Sequence, residues 1–196
     1  MLGIQIFVGA RDPLSGGLSE AAFWVGLRQE IYSAMMKHQS TQLNLEHCSI
    51  DRTLKPTSDY GWANRAIIHC ADVLNCCFGG SGVSIRHWEE LKQYGEQWHE
   101  ALPSSFTPIY YRAPDRARRE AFPEIWYSLG CHSRFKTCNF VDLYLLICVV
   151  IGVQHFLLAK ILLAIFDPKL PRIGGNRNAA VRLMEVQSSP VPQFSK

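Results

Sequence analysis

The sequence predicts an all-α fold, a bundle or array of amphipathic and buried helices. Apolar residues recur every three or four positions in several separate stretches, and residues that commonly cap helices flank those stretches. No stretch alternates apolar and polar residues for more than a few positions, as a half-buried strand would. With 196 residues, of which 47% are hydrophobic and 19% charged, the chain can bury a core. One domain is therefore expected over residues 18–186, between a poorly defined segment 1–17 and a disordered tail 187–196.

The first predicted helix covers residues 18–37, with Ser19 as its N-cap. Its apolar positions recur every four residues and form one stripe, made of Phe23, Leu27, Ile31 and Met35. The second predicted helix covers residues 60–78 and follows the turn-forming triplet Thr57-Ser58-Asp59. Its apolar positions follow the same three-and-four spacing, at Trp62, Ala66, Ile67, Cys70, Val73, Leu74 and Cys77. Gly79-Gly80 then stands where a C-terminal cap is expected.

Ser84 is expected to cap a third helix, which Pro103 ends. Its apolar stripe consists of Ile85, Trp88, Leu91 and Trp98. Residues 103–123 contain four prolines and predict an extended, aromatic-rich segment that packs back on the helices. Pro123 has the position of a first helical residue, so residues 122–126 predict the start of another helix, and a short helix is expected over residues 178–186.

Residues 140–166 form a stretch that is long and apolar enough to cross a membrane. The alternative to a soluble helical domain is therefore a membrane-anchored protein that uses residues 143–163 as a transmembrane helix, with Lys160 reaching the interface. Gln154 and His155 weaken this alternative, because polar groups at the centre of a membrane must find partners there. The charges that flank the stretch give no clear orientation either.

The charge pattern gives only weak indications of a partner. The net charge is +3, and the dense basic run over residues 112–119 is interrupted by Pro114 and Asp115. A solvated loop is therefore favoured over a phosphate-binding patch. The first residues lack the basic segment and cleavage pattern of a secretory signal, so the seven cysteines are expected to be reduced thiols.

The cysteines are poorly spaced for a metal site. No Cys-x-x-Cys pair occurs, and adjacent side chains diverge by about 100° on a helix, which makes chelation by neighbours awkward. Such neighbouring pairs are His47-Cys48, His69-Cys70 and Cys131-His132. Buried, hydrophobic thiols are favoured over structural zinc.

The sequence lacks the motifs of common enzymatic chemistry. The glycine-rich run 79–82 follows a helix instead of a strand, so it predicts a cap and linker and not a phosphate-binding loop. Its spacing also lacks the second glycine of a nucleophile elbow, because Val83 stands in that position. Glu89 and Glu90 are adjacent and face different ways on a helix, which favours a solvated face over an acid–base pair.

The histidines do not indicate a catalytic site by themselves. Four lie on or near apolar stripes: His69, His87, His99 and His155. A hydrogen-bonded core or boundary role is more common there than catalysis. No enzyme is predicted, and no catalytic, cofactor-binding, metal-binding or DNA-binding residue is assigned. An enzyme whose site gathers dispersed His and Glu residues is a further alternative.

A series of short motifs follows in order along residues 18–185. They are Phe23-Trp24-Val25, Arg28-Gln29-Glu30-Ile31-Tyr32, Trp62-Ala63-Asn64-Arg65, His69-Cys70-Ala71-Asp72-Val73-Leu74, Trp88-Glu89-Glu90-Leu91, Trp98, residues 103–111, Phe122-Pro123-Glu124-Ile125-Trp126 and Asp167-Pro168-Lys169-Leu170-Pro171. In this order they resemble the fungal-specific transcription factor domain, the helical regulatory region of zinc-cluster regulators, in its ARCA-like branch.

The resemblance implies a nuclear regulator of transcription whose helical domain is part of a larger regulatory region. Its partners would be the transcription machinery or other regulatory proteins, with a homodimer and a small-molecule effector also compatible with the family. No cofactor is expected in this chain, because in the family zinc is held by a separate N-terminal cluster of six cysteines that also reads DNA. DNA would be bound only through that cluster, and a membrane partner is not expected.

The sequence departs from the family pattern in two places. The cysteine spacing of the zinc cluster does not occur before Leu18, so a truncated gene model, a degenerate paralogue and a regulator that acts through partners all stay open. Residues 133–149 have no family counterpart. In the family, a pair like Cys131-His132 runs almost directly into a segment like residues 150–160. We predict that residues 133–149 are an insertion or a retained intron that is translated in frame.

The resemblance leaves the roles of individual residues open. Four tryptophans match family positions: Trp24, Trp62, Trp88 and Trp126. Packing anchors between helices are favoured over the lining of an effector pocket. Arg28 and Arg65 are expected to form buried or boundary salt bridges instead of contacting a ligand.

Overall fold

The computed structural model of the chain describes residues 16–43, 45, 50–80, 83–115, 120, 123–127 and 140–170, with the backbone alone for residues 140–146. Within these residues the protein is mainly helical, with four α-helices and a small two-stranded sheet. The mainly helical class predicted from the sequence is confirmed. The two strands correct the expectation of a purely α-helical chain.

Helix α1 (Gly17–Lys37) begins one residue earlier than predicted. The predicted cap at Ser19 is wrong, because the N-cap is Gly16, whose φ of 92° lies in the region that favours glycine. The predicted stripe faces the core, with Phe23, Leu27 and Ile31 buried and Met35 partly buried.

Helix α2 (Asp59–Phe78) starts where the turn-forming triplet predicts. The Ser58 hydroxyl accepts a hydrogen bond from the backbone N–H of Gly61 at 3.3 Å and so caps the first turn. At the other end the N–H of Gly79 donates to the Asn75 carbonyl at 2.9 Å. Most of this helix is buried, because it packs against α1 and against both of the later helices.

Helix α3 (Ile85–Glu100) follows Ser84, which occupies the N-cap position without a side-chain hydrogen bond to the helix. Trp88, Leu91 and Trp98 are buried as predicted, whereas Ile85 is exposed. The prediction fails at Ile85 because this residue lies more than about 100° around the helix from Leu91 and Trp98.

The segment after α3 contains regular structure that the sequence did not predict. A short 3-10 helix (Ser104–Phe106) leads into strand β1 (Pro108–Arg112), which pairs antiparallel with strand β2 (Glu124–Tyr127). Phe106 is buried against Trp98, so the expected packing of aromatic residues on the helices is confirmed there.

The helix predicted to start at Pro123 is wrong. Tyr110 lies opposite Trp126 in the sheet, and Tyr111 lies opposite Ile125. Aromatic and β-branched side chains favour such cross-strand pairs, and this pairing outweighs the local helix-start signal of proline. The signal was misleading because it is purely local, whereas the strand depends on β1.

Helix α4 (Phe140–Ile165) is continuous. The helix runs without a break across Val150, where the predicted insertion ends. Cys148 and Val149, the last residues of the predicted insertion, are buried in the core. Whether residues 133–149 belong to the mature protein stays a prediction, and residues 133–139 and the predicted helix 178–186 lie outside the described residues.

Two clusters of buried side chains hold the helices together, and α4 takes part in both. The larger cluster joins α1, α2, the first half of α3 and the C-terminal half of α4, and it includes Leu27, Ile31, Leu74, Leu91, Ala159 and Leu162. The smaller one joins α2, α3 and the 3-10 helix to α4, and it contains Trp62, Ala66, Trp98, Phe106, Val149 and Phe156. Among the described elements, α2 and α4 have the most extensive contact.

A glycine allows this close contact. A Cβ atom added at Gly152 would lie 3.0 Å from the Cα of Ala63 and 3.2 Å from Cε1 of Phe106. A contact of this length is tighter than nine in ten real Cβ contacts, so a side chain at this position would require the neighbouring backbone to shift by a few tenths of an ångström. Glycine thus favours the close approach of α4 to α2.

Candidate interaction surfaces

The buried histidines are neutral at physiological pH. His69 lies against the ring of Tyr94, with 5.1 Å between ring centroids, and burial lowers the pKa of His69 to about 4. Burial also lowers the pKa of His155, whose Nδ1 donates a hydrogen bond to the Ile151 carbonyl at 2.8 Å. The core or boundary placement predicted for these two residues is confirmed.

The other two histidines are more exposed. His99 stacks on Phe156 at 5.3 Å between centroids, and burial and then the nearby charge of Lys160 lower the pKa of His99. His87 is exposed, with its Nδ1 3.7 Å from a carboxylate oxygen of Glu90. His87 therefore does not have the core placement expected from the apolar stripe.

The adjacent carboxylates of α3 diverge, as the sequence predicts. Glu89 accepts a hydrogen bond from the Lys169 ammonium at 2.6 Å, and Glu90 accepts one from Arg86 at 2.9 Å. Both pairs are exposed. The two carboxylates thus belong to separate surface ion pairs and do not face a common substrate position.

Arg65 forms a salt bridge, as the sequence predicts. Its side chain is buried, donates to Asp51 at 2.6 Å and to the Lys55 carbonyl at 2.7 Å, and lies 4.8 Å above the ring of Trp62. The hydrogen bond from Arg65 is the main cause that lowers the pKa of Asp51 to about 2. Arg65 therefore ties the chain segment before α2 to that helix.

Tryptophans at helix crossings act as packing anchors. The indole N–H of Trp98 donates to the backbone carbonyl of Trp62 at 3.1 Å, and that of Trp88 donates to the Leu163 carbonyl at 3.0 Å. Trp24 is likewise buried in α1. The favoured packing role is thus confirmed at Trp24, Trp62 and Trp88.

Burial raises the pKa of three of the described thiols. Burial raises the pKa of Cys70 and of Cys77 to about 12, so both remain protonated. Cys76 is partly buried and its pKa is also raised by burial. Among the residues with described positions, no group of three or more His, Cys, Asp or Glu is placed to hold a metal ion. Cys48, Cys131 and Cys138 lie outside the described residues.

The start of the basic run belongs to an ion-pair cluster on the sheet. Arg112 donates to Glu120 at 2.8 Å and to Glu124 at 3.0 Å. Two acidic partners leave this arginine poorly suited to an anionic ligand, which argues against a phosphate-binding patch at Arg112, although the residue lies in a strand and not in the predicted loop. Residues 116–119 of the run lie outside the described residues.

An exposed pair of aromatic side chains lies on the two-stranded sheet. Trp126 is 55% exposed and its ring packs on that of Tyr110, with 5.0 Å between centroids. Its indole N–H donates to Glu124 at 3.0 Å. The expected packing-anchor role is therefore wrong for Trp126, which stands on the surface because the strand turns it away from the helices.

Helix α1 is apolar on both sides. Opposite its buried stripe lies a face that we name the α1 outer face, made of Leu18, Ala22, Val25, Gln29, Tyr32 and Met36, all exposed. These residues are spaced by four, three, four, three and four positions, so they align along one side of the helix. The buried stripe was predicted from the sequence, whereas this second face was missed, although the same periodicity marks it.

Helix α4 also has a second apolar face. We name it the α4 outer face, made of Ile147, Val150, Gln154, Leu157, Ile161 and Ala164, of which Val150 and Ala164 are half-buried and the others exposed. The stretch Ile147–Ile165 is long and apolar enough to cross a membrane by length and composition. A core helix with two apolar faces meets the same criterion.

Comparison of the chain with protein-family models, with curated proteins and with solved structures gives no match. The resemblance to the fungal-specific transcription factor domain stays a prediction from the sequence motifs.

Proposed function

We propose that this chain is a helical regulatory and interaction domain of a fungal-type zinc-cluster transcription regulator that acts in the nucleus. The observation that carries the proposal is the ordered series of motifs along residues 18–185. We further propose that the four helices form a bundle, with α2 at its centre, because α2 packs against the other three.

The placement of the motif residues agrees with such a role. Trp62, Trp88 and Trp98 lie at crossings between helices, and Arg65 fixes the segment that leads into α2. Residues used in this way maintain a scaffold. A regulatory domain would then contact its partners through exposed surfaces.

The α1 outer face is the surface that we propose for a regulatory protein partner. Leu18 is 87% exposed, and Val25, Tyr32 and Met36 are each more than half exposed. Soluble proteins seldom leave a continuous apolar face on a helix without a binding partner. A groove on a protein of the transcription machinery that accepts one face of a helix would fit it.

The test is a tethered transcription assay. The full chain is fused to an unrelated DNA-binding module, and transcription of a reporter gene is measured in a fungal host with the fusion confirmed in the nucleus. The fusion should change transcription relative to the module alone. Tyr32→Glu should abolish the change, because it places a charge on the α1 outer face.

Gln93→Glu provides the matched control, since Gln93 is exposed on a different helix. It should leave the reporter signal as in the unsubstituted fusion. Reporter transcription equal to that of the module alone, from a folded and nuclear fusion, would overturn the proposal.

A membrane-anchored protein that uses residues 143–163 is the second candidate, and the length and composition of Ile147–Ile165 favour it. In this case α4 would have to leave its contacts with α2, including the Trp88 hydrogen bond to Leu163. Alkaline extraction of cell membranes separates the candidates. A chain that stays in the membrane pellet supports the anchor, whereas release into the supernatant rejects it.

A further inference from the structure

The α4 outer face follows the spacing of a helix that packs against another helix. Its six positions, Ile147, Val150, Gln154, Leu157, Ile161 and Ala164, are separated by three, four, three, four and three residues. This is the a and d pattern of a coiled-coil seam, here about 26 Å long at 1.5 Å per residue. Three of the side chains are substantially exposed apolar groups, with 46%, 39% and 55% of Ile147, Leu157 and Ile161 accessible.

The opposite side of α4 is already occupied. Val149, Gly152, Phe156 and Ala159 face the core and pack on α2 and α3. The membrane-like composition of α4 therefore arises from two apolar faces, one for the core and one that no described element covers. Burial against a second protein surface would complete the helix without requiring lipid.

The centre of the seam identifies the partner. Gln154 lies seven residues after Ile147 and seven before Ile161. Its amide therefore lies between apolar residues on either side along the seam. Lipid offers no hydrogen bond to an amide. A glutamine amide carries both donors and an acceptor, so two copies related by a two-fold axis can satisfy each other.

We propose that the α4 outer face is a homodimer interface in which Gln154 contacts Gln154 of a second copy. In a parallel pair the two-fold axis brings every seam residue to its own copy, and in an antiparallel pair it does so for Gln154 when the axis passes through this residue. Lys160 lies beside the seam and is exposed, so its ammonium can stay in water in such a dimer. This inference does not rest on the proposed role in transcription.

The dimer should depend on concentration. Stable interfaces bury about 800 Å² on each partner, and a single helix face supplies less than that. Sedimentation of the purified full chain should therefore show a monomer–dimer equilibrium in the micromolar range. A chain that stays monomeric across that range would overturn the proposal.

A charge-swap experiment tests the contact itself. Gln154→Glu alone and Gln154→Lys alone should each be monomeric, because like charges would meet across the axis. An equimolar mixture of the two variants should recover the dimer, because opposite charges then meet. Only a direct contact between position 154 of the two copies predicts this recovery. A mixture that remains monomeric would refute it.

A matched pair of isoleucine variants tests the surrounding seam. Ile161→Gln should weaken dimerisation about tenfold, because one partly exposed apolar side chain is lost from each helix. Ile85→Gln is the control, since Ile85 is similarly exposed, at 53% against 55%, but lies on α3. It should leave the dimer unchanged, and circular dichroism should show both variants folded.

Lipid is the competing occupant of this face. The full chain is mixed with vesicles of neutral and anionic phospholipid and separated by flotation. Chain that remains in solution as a dimer supports the proposal. Chain that floats with the vesicles, and floats less after Ile161→Gln but not after Ile85→Gln, would overturn the proposal in favour of membrane binding.

Discussion

The crossing of α2 and α4 can be tested by adding a single methyl group at Gly152. Gly152→Ala has two opposing effects. Alanine favours a helix interior by about 1 kcal/mol over glycine. Its methyl group would lie 3.0 Å from the Cα of Ala63, a backbone atom that cannot move by itself, and such overpacking costs about 1–3 kcal/mol. The free energy of unfolding should therefore fall by about 0–2 kcal/mol.

A larger side chain should make the effect unambiguous. Gly152→Val places two further methyl groups between α4 and the backbone of Ala63, next to the ring of Phe106. The free energy of unfolding should fall by about 3 kcal/mol or more. Because native domains have only about 5–15 kcal/mol of stability, this loss is a large part of the total.

Urea unfolding followed by tryptophan fluorescence is a suitable assay, since Trp62 and Trp98 lie near the crossing. With a typical urea dependence of about 1–3 kcal/mol per molar, the valine variant should shift the midpoint by about 1 M or more. Lys160→Ala is the control on the same helix, because Lys160 is exposed and lies outside the proposed contact, and its effect should stay within about 0.5 kcal/mol.

Two results would refute the reasoning. A Gly152→Ala variant that gains the whole of about 1 kcal/mol in unfolding free energy would mean that its methyl group meets no obstacle. A Gly152→Val variant as stable as the unsubstituted chain would mean that α2 and α4 do not approach at this point. Either outcome would favour an arrangement in which α4 leaves the core.

Four further predictions concern stability, titration and the transcript. Trp88→Phe removes the N–H that donates to the Leu163 carbonyl, and it should lower the free energy of unfolding in urea by about 1–2 kcal/mol. Trp126→Phe, at the exposed position, should cost less than about 0.5 kcal/mol. Equal effects of the two variants would contradict the assigned environments. Arg65→Met should cost about 1–2 kcal/mol and raise the pKa of Asp51 from about 2 towards its ordinary range, with the hydrogen bonds from Thr53 still lowering it. An unchanged Asp51 titration by NMR would argue against the salt bridge. The pKa of His69 is about 4 in the folded chain and 6.5 in its ordinary state, so the unfolded chain binds more protons between these values. The contribution of His69 to stability should be full above about pH 6.5 and should be lost as the pH drops towards 4, by up to about 3 kcal/mol. His69→Leu should flatten the pH dependence of the urea midpoint. The same dependence of the midpoint on pH in both proteins would contradict the burial of a neutral His69. Transcript reads should show the codons of residues 133–149 removed from the mature mRNA, and continuous coverage of these codons would rule out the retained intron.

The local helical signals were the most reliable part of the sequence. Phe23, Leu27 and Ile31 reveal the buried side of α1, and the turn before Asp59 reveals the start of α2. Helix periodicity, capping residues and helix ends are set by interactions within a few residues, so a single sequence contains them. The side chains of Glu89 and Glu90 diverge for the same local reason.

Local signals failed where the outcome depends on distant residues. Residues 124–127 look like the start of a helix, but they form a strand because β1 supplies the partner for their backbone groups. The exposed position of Trp126 follows from that pairing. Two other predictions failed for local reasons. Ile85 lies around α3 from the side that bears Leu91 and Trp98, and α1 begins at Gly17, before the predicted cap at Ser19.

The sequence by itself determined that the chain is mainly helical, where α1, α2 and α3 lie, and that residues 140–166 are apolar enough for either a core or a membrane. Only the tertiary structure decided which side of α4 packs on α2, and that Gly152 permits the contact. The reason is physical: an all-round apolar helix has no preferred face of its own, so its buried side is chosen by the shape of the surface that it meets.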